Sequence, residues 1–109
     1  MAGTASAAEP IGGAVSVEWA ALSGNEDGAS VDMTRWPDKS VQVYGTFTSI
    51  TIQGSNDGGT WATLDDQKGD PLVLVAPGIH MVAQNTVYIR PVAVGAGAGC
   101  TVIIAGFGR

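Results

Sequence analysis

Thr51–Leu64 reads Thr-Ile-Gln-Gly-Ser-Asn-Asp-Gly-Gly-Thr-Trp-Ala-Thr-Leu. Ile50 and Ile52 stand on one face of an extended run, and Thr51 and Gln53 stand on the other. The run ends in Asn56-Asp57-Gly58-Gly59, the strongest turn signal in the chain, because Asn, Asp and Gly tolerate the positive φ that tight hairpin turns require. Thr60–Leu64 then returns as a partner strand with Trp61 as its large apolar residue. Alternation on both sides of a turn cluster predicts a β-hairpin.

The same period of two extends outward. Val41, Val43, Gly45 and Phe47 alternate with Gln42, Tyr44 and Thr46, and Val15, Val17, Trp19 and Ala21 alternate with Ser16, Glu18 and Ala20. Ser23–Ser30 is rich in turn formers and reads as a loop, and Val31–Lys39 reads as irregular, with Pro37 keeping Trp36 away from helical angles. Leu72–Val75, Ile79–Val82, Val87–Val94 and Cys100–Ala105 are further short strands, separated by Pro77-Gly78, Ala83–Asn85 and Gly95–Gly99. Pro91 cannot donate to a ladder, so its strand is expected at an edge or a bulge. No window carries apolar residues at i, i+3, i+4 and i+7. Seven or eight short strands with turns every eight to twelve residues predict an all-β fold, a single antiparallel sandwich of jelly-roll-like type. Residues 1–13, rich in Ala, Gly and Ser, read as a flexible N-terminal arm, and residues 14–109 as the sandwich domain.

Composition narrows the function. The chain has 109 residues, which is room for one core, and only 14% of them are charged. An ordinary globular domain carries about 25%. Part of the surface is therefore expected to be covered in an assembly. Ten acidic and five unclustered basic residues, net −5, exclude the basic stripe of a nucleic-acid binder. No apolar run reaches the roughly 20 residues of a membrane span, and the N-terminus lacks the basic start of a signal peptide. A single cysteine, Cys100, fits assembly in a reducing cytoplasm.

Catalytic chemistry lacks its parts. His80 is the only histidine, so no zinc site can be built on several of them. It reads as a partly exposed strand residue, and Cys100 as a small apolar packing residue. Asp65, Asp66 and Asp70 lack calcium-loop spacing and read as turn caps. The Gly95–Gly99 run has no lysine and no following helix, so it is not a phosphate cradle. The expectation is a non-enzyme with no metal and no cofactor. Trp19 and Trp61 read as core. Trp36, next to Arg35, is either a lid over one end of the sandwich or an interface anchor, since Trp and Arg dominate contact energetics. Arg90, between Tyr88 and Pro91 in a strand, needs a partner within the fold or across a subunit boundary. Arg35, Trp36, Tyr88 and Arg90 are the candidate interface residues.

Ser40–Thr46 (SVQVYGT), Thr51–Leu64 and Tyr88–Val92 (YIRPV) together resemble a family of small tailed-phage virion proteins similar to capsid decoration, or cement, proteins. The Gly-Ser-Asn-Asp-Gly…Trp segment followed by Tyr-Ile-Arg also resembles discoidin-like β-sandwich domains that bind carbohydrates or lipids. In both groups Asn56, Asp57 and Gly58 make the hairpin turn and Trp61 packs below it. The phage resemblance implies a homo-oligomer, commonly a trimer, on the capsid exterior, where it braces neighbouring major capsid protein subunits. Two alternatives stand beside it. One is a carbohydrate-binding module with Trp36 and Tyr44 as its aromatic platform, and the other is a tail or neck component.

Overall fold

The protein is described from a computed structural model, which covers residues 14–107 and the backbone pairing of residues 6–7. Of the expected arm, only Ser6–Ala7 falls within this range, and the rest of residues 1–13 lies outside the described residues. Among the described residues, eleven strands form two antiparallel sheets. β1 (Ser6–Ala7), β2 (Ala14–Trp19), β11 (Thr101–Phe107), β5 (Asp38–Tyr44) and β9 (Gly78–Val82) lie side by side in the first. The second runs β3 (Gly24–Asp27), β10 (Tyr88–Ala96), β6 (Ser49–Ser55), β7 (Ala62–Thr63), with β4 (Val31–Asp32) also on β10 and β8 (Val73–Leu74) also on β6. The chain crosses repeatedly between the sheets, and among consecutive strands only β1–β2, β3–β4 and β6–β7–β8 stay within one sheet. This is the jelly-roll arrangement, and the all-β sandwich expected from the pattern is what the chain forms.

Alternation explains the core. In β5, Lys39, Val41 and Val43 point inward while Gln42 and Tyr44 are exposed; in β11, Val102 and Ile104 are buried. Ile50 and Ile52 of β6 and Ile89 and Ala93 of β10 meet them from the second sheet, with Val17 and Trp19 of β2 completing the layer. Trp19 is fully buried, and its Nε1–H donates to the Ala29 carbonyl at 2.9 Å, so the indole dipole is satisfied inside the core. Cys100 is also buried, as its packing role predicts; burial pushes its thiol up, and the Glu26 carboxylate adds to the shift. Among the described residues no helix is long and apolar enough to cross a membrane.

Three expectations are corrected. Gly24–Asp27, read as part of a loop, is a strand on β10, because an edge strand needs only backbone pairing and can leave its side chains in water. The return strand after the Asn-Asp-Gly-Gly cluster is only Ala62–Thr63. β10 is central, with β6 on one side and β3 and β4 on the other. Pro91 is tolerated there because its flank is broken. Its carbonyl accepts from Gly28 N–H at 2.7 Å in the gap between β3 and β4, so its ring nitrogen, on the same side of the strand, faces that gap. Gly28 is part of the solution, since a Cβ there would fall 2.6 Å from the Pro91 ring and 2.8 Å from Trp19.

Candidate functional site

Two surfaces carry the residues that could contact other molecules, one on each sheet. On the outer face of the second sheet, the hairpin loop folds back over β10. The turn is wider than a two-residue primed turn and is organised by side chains. Asp57 Oδ1 accepts from the backbone of Gly59 and Thr60, each at 2.8 Å, and from Ser55 Oγ at 2.8 Å. Ser55 Oγ accepts in turn from Gly58 N–H at 2.9 Å. Asn56 Oδ1 accepts from Val87 N–H at 3.1 Å and so ties the loop to the start of β10. Gly58 sits over the Tyr88 ring, 3.4 Å from where its Cβ would be. The two segments that carry the resemblance thus meet in space.

The backbone hydrogen bonds hold the Asp57 carboxyl well below the usual carboxylate range. An acid depressed in the folded state stabilises it fully above the unfolded value near 4, and loses that contribution as pH falls through the folded value. The melting temperature of Asp57→Ala is therefore expected to lie below that of the wild type at about pH 7, with the gap closing progressively below about pH 4. A gap independent of pH, measured by scanning calorimetry across this range, would show that the charge has no part in the turn.

Beyond the loop, Arg90 extends from β10 across the sheet surface. Its Nε–H donates to Gln53 Oε1 of β6 at 3.0 Å, its Nη1 lies 3.7 Å from Asp27 Oδ2 of β3, and its guanidinium carbon lies 4.1 Å from the centre of the Trp61 ring. Here the sequence reading is corrected again. Trp61 is half-buried and lies outside the core, because it precedes β7 on the outer side of the sheet, where Arg90 supplies a cation–π partner. The charge on Arg90 is met within the fold. Asn25, Asp27, Ser30, Gly58, Trp61 and Arg90 line a groove of about 450 Å³.

Arg35 and Trp36 do not join this cluster. Arg35 is exposed, while Trp36 is half-buried and lies against Gly106 and Met33 at one end of the sandwich, the lid position. Beneath it is a residue that the strand assignment passed over. Lys39 is 1% exposed, and its Nζ donates to the Trp36 carbonyl at 2.9 Å and to Asn85 Oδ1 at 2.7 Å. The available signal was parity, since Lys39 shares its face with Val41 and Val43.

The second surface is the outer face of the first sheet. Cross-strand register lines up Glu18, Ile103, Gln42 and Ile79 in one row, and Ser16, Ala105, Ser40 and Met81 in the next. Phe107 and Tyr44 lie beyond these rows. Ile79 is 66% exposed, and Met81, Tyr44 and Phe107 are each more than 40% exposed. Glu18 and Asp38 are the only charged side chains that the described strands place on this face, and Asp66 and Lys68 of a neighbouring loop line a hollow beside Ile79 and Met81. Trp36 and Tyr44 make no shared platform, because they flank opposite ends of β5, about 20 Å apart by strand geometry.

Among the described residues, His80 and Cys100 are not brought together. Cys100 is next to the Tyr44 end of β5, whereas His80 pairs with Val41 on the far side of that strand, roughly 15 Å away. Asp66 Oδ1 accepts from the backbone of Lys68 and Asp70, which makes it the turn cap expected of it.

No protein family and no curated protein matches the chain. Among solved structures it is similar to the SPBc2 prophage-derived protein YomS, with a TM-score of 0.66 and 12% sequence identity over 91% of this chain and 98% of that one. At that identity the likeness is one of fold.

Proposed function

We propose that this chain is a bacteriophage virion structural protein that decorates the head and packs the outer face of its five-stranded sheet against neighbouring subunits. The observation that carries the reading is the concentration of Ile79, Met81, Tyr44 and Phe107 on one sheet face whose described strands contribute only Glu18 and Asp38 as charged side chains. Exposed apolar area of this kind is stabilised by being covered, and area buried only in the particle holds it together by mass action. The fold shared with a prophage-derived protein supports the phage setting. The neighbours proposed are the major capsid protein and further copies of this chain, as a trimer, on the capsid exterior.

The test uses expanded heads assembled without this protein. Added protein is expected to saturate the shell at hundreds of copies and to raise its resistance to heat. The double substitution Ile79→Asp and Met81→Asp is expected to weaken binding about tenfold or more while leaving the melting temperature of the free protein nearly unchanged, since both side chains are exposed. Failure to bind, equal binding by the variant, or a handful of copies per particle would overturn the decoration role; the last result would point to the tail or neck. Sedimentation of the free protein measures the trimer directly.

A further inference from the structure

The groove at Arg90 lies on the opposite sheet from the face assigned to the shell, and its chemistry is different. Its aromatic wall is Trp61. Its polar groups include the Arg90 guanidinium beside the Asp27 carboxylate, with Asn25 and Ser30 along the same rim; Glu26 also lines it, and its carboxylate accepts from the Ser23 N–H at 3.0 Å. The volume of about 450 Å³ falls within the roughly 300–1,000 Å³ of small-molecule sites.

Charge decides the class of ligand. An anion would need a free cation, but Arg90 is already engaged by Asp27, by Gln53 and by the Trp61 ring. A cation would meet the guanidinium at the same point. A neutral ligand rich in hydroxyls faces neither obstacle. Each hydroxyl can donate to the carboxylate and accept from a guanidinium N–H, so neighbouring hydroxyls suit a neighbouring Asp and Arg. The C–H groups of a pyranose ring match the part of the indole that Arg90, 4.1 Å from the ring centre, leaves uncovered. The groove is also held in shape before any ligand arrives. Arg90 is pinned from three directions, and the loop bearing Trp61 is fixed by the Asp57 and Asn56 hydrogen bonds, so little ordering cost remains for binding.

We propose that the Trp61–Arg90 groove is a binding site for a neutral saccharide. It would give a particle carrying this protein weak attachment to glycan-bearing surfaces, multiplied by the number of copies. The site does not depend on the shell-binding reading, because it uses the other sheet.

The full-length protein would be screened on an array of neutral and charged oligosaccharides, and in parallel by co-sedimentation with bacterial envelope polysaccharide. Binding of neutral glycans in either format is expected, with the array reporting short soluble ligands and sedimentation reporting a surface polymer. Trp61→Ala is expected to weaken binding about tenfold or more, and Ser30→Trp, which fills the groove and keeps its walls, to do the same. Both positions are at least partly exposed, and thermal melting of each variant confirms folding. Head binding by both variants is expected to be that of the wild type, which separates this proposal from the one above. Absence of glycan binding in both formats, preference for charged glycans, or full retention of binding by folded Trp61→Ala and Ser30→Trp would overturn it.

Discussion

Gly45→Ala is expected to destabilise the fold by about 4 kcal/mol, lowering the melting temperature on the order of 15 °C. Two effects combine at this position. Gly45 has φ of +94°, a conformation that costs an L-residue about 1–2 kcal/mol. A Cβ there would also be driven into the Gly99 carbonyl and lie 2.7 Å from Cys100 N, both of them backbone atoms. The two segments cannot move apart freely. Thr46 N–H donates to the Ala98 carbonyl at 3.1 Å, and Gly97 N–H donates to the Thr46 carbonyl at 2.7 Å. Gly69→Ala is the control: its φ is +88°, but a Cβ would meet nothing within 4 Å, so only the conformational cost of about 1–2 kcal/mol is expected. Equal losses for the two variants in urea denaturation would show that the approach to Gly99 contributes nothing.

Lys39→Ala is expected to cost about 3 kcal/mol, whereas Lys39→Met is expected to stay within about 1 kcal/mol of the wild type. Both variants take the Nζ donor from the Trp36 carbonyl, but only alanine also leaves a cavity where the four-carbon stem packs beside Val41. Methionine refills most of the cavity and removes the cost of burying a charge, while Asn85, an exposed residue, regains water. The pH dependence separates the two contributions. Burial pushes the Lys39 amine down, and the negative charge of Asp38 opposes this in part. Between the lowered folded value and the unfolded value near 10.4, the unfolded chain holds the extra proton, so wild-type stability rises with pH through that window. Lys39→Met has no such proton to lose. Its stability relative to the wild type is therefore expected to fall as the pH rises toward the unfolded value near 10.4. A constant difference would mean that burial does not destabilise the charged amine.

Strand alternation was legible in the sequence for Val41 and Val43 and for Ile50 and Ile52, which lie in the core that their spacing predicts. The pattern read on through Gly45 and Phe47 does not continue the strand, because β5 ends at Tyr44 and Gly45 turns the chain at positive φ. Gly24–Asp27 was not legible, because its pairing to β10 is made by backbone and leaves no side-chain period. Trp61 was misread for a related reason. A large apolar residue near a strand is expected inside, and nothing local shows that an arginine 29 positions later will lie across its ring. The turn cluster was found, although its wide, side-chain-organised form depends on Ser55 and Asp57 meeting in three dimensions.

Taken alone, the sequence determined the class of the fold, the absence of a helical stripe, the positions of most turns and the shortage of charge. These are local properties: period-two burial, backbone preferences at Gly, Pro, Asn and Asp, and composition. Only the tertiary structure decided where that shortage is concentrated, which tryptophan lies at the surface against an arginine and which lysine is buried. Each of these depends on strands that lie far apart in the chain becoming neighbours in a sheet. Jelly-roll connectivity places β5 beside β9 and β11, and β10 beside β6 and β3, so the apolar face and the Arg90 groove are both made from pieces that no stretch of sequence contains together.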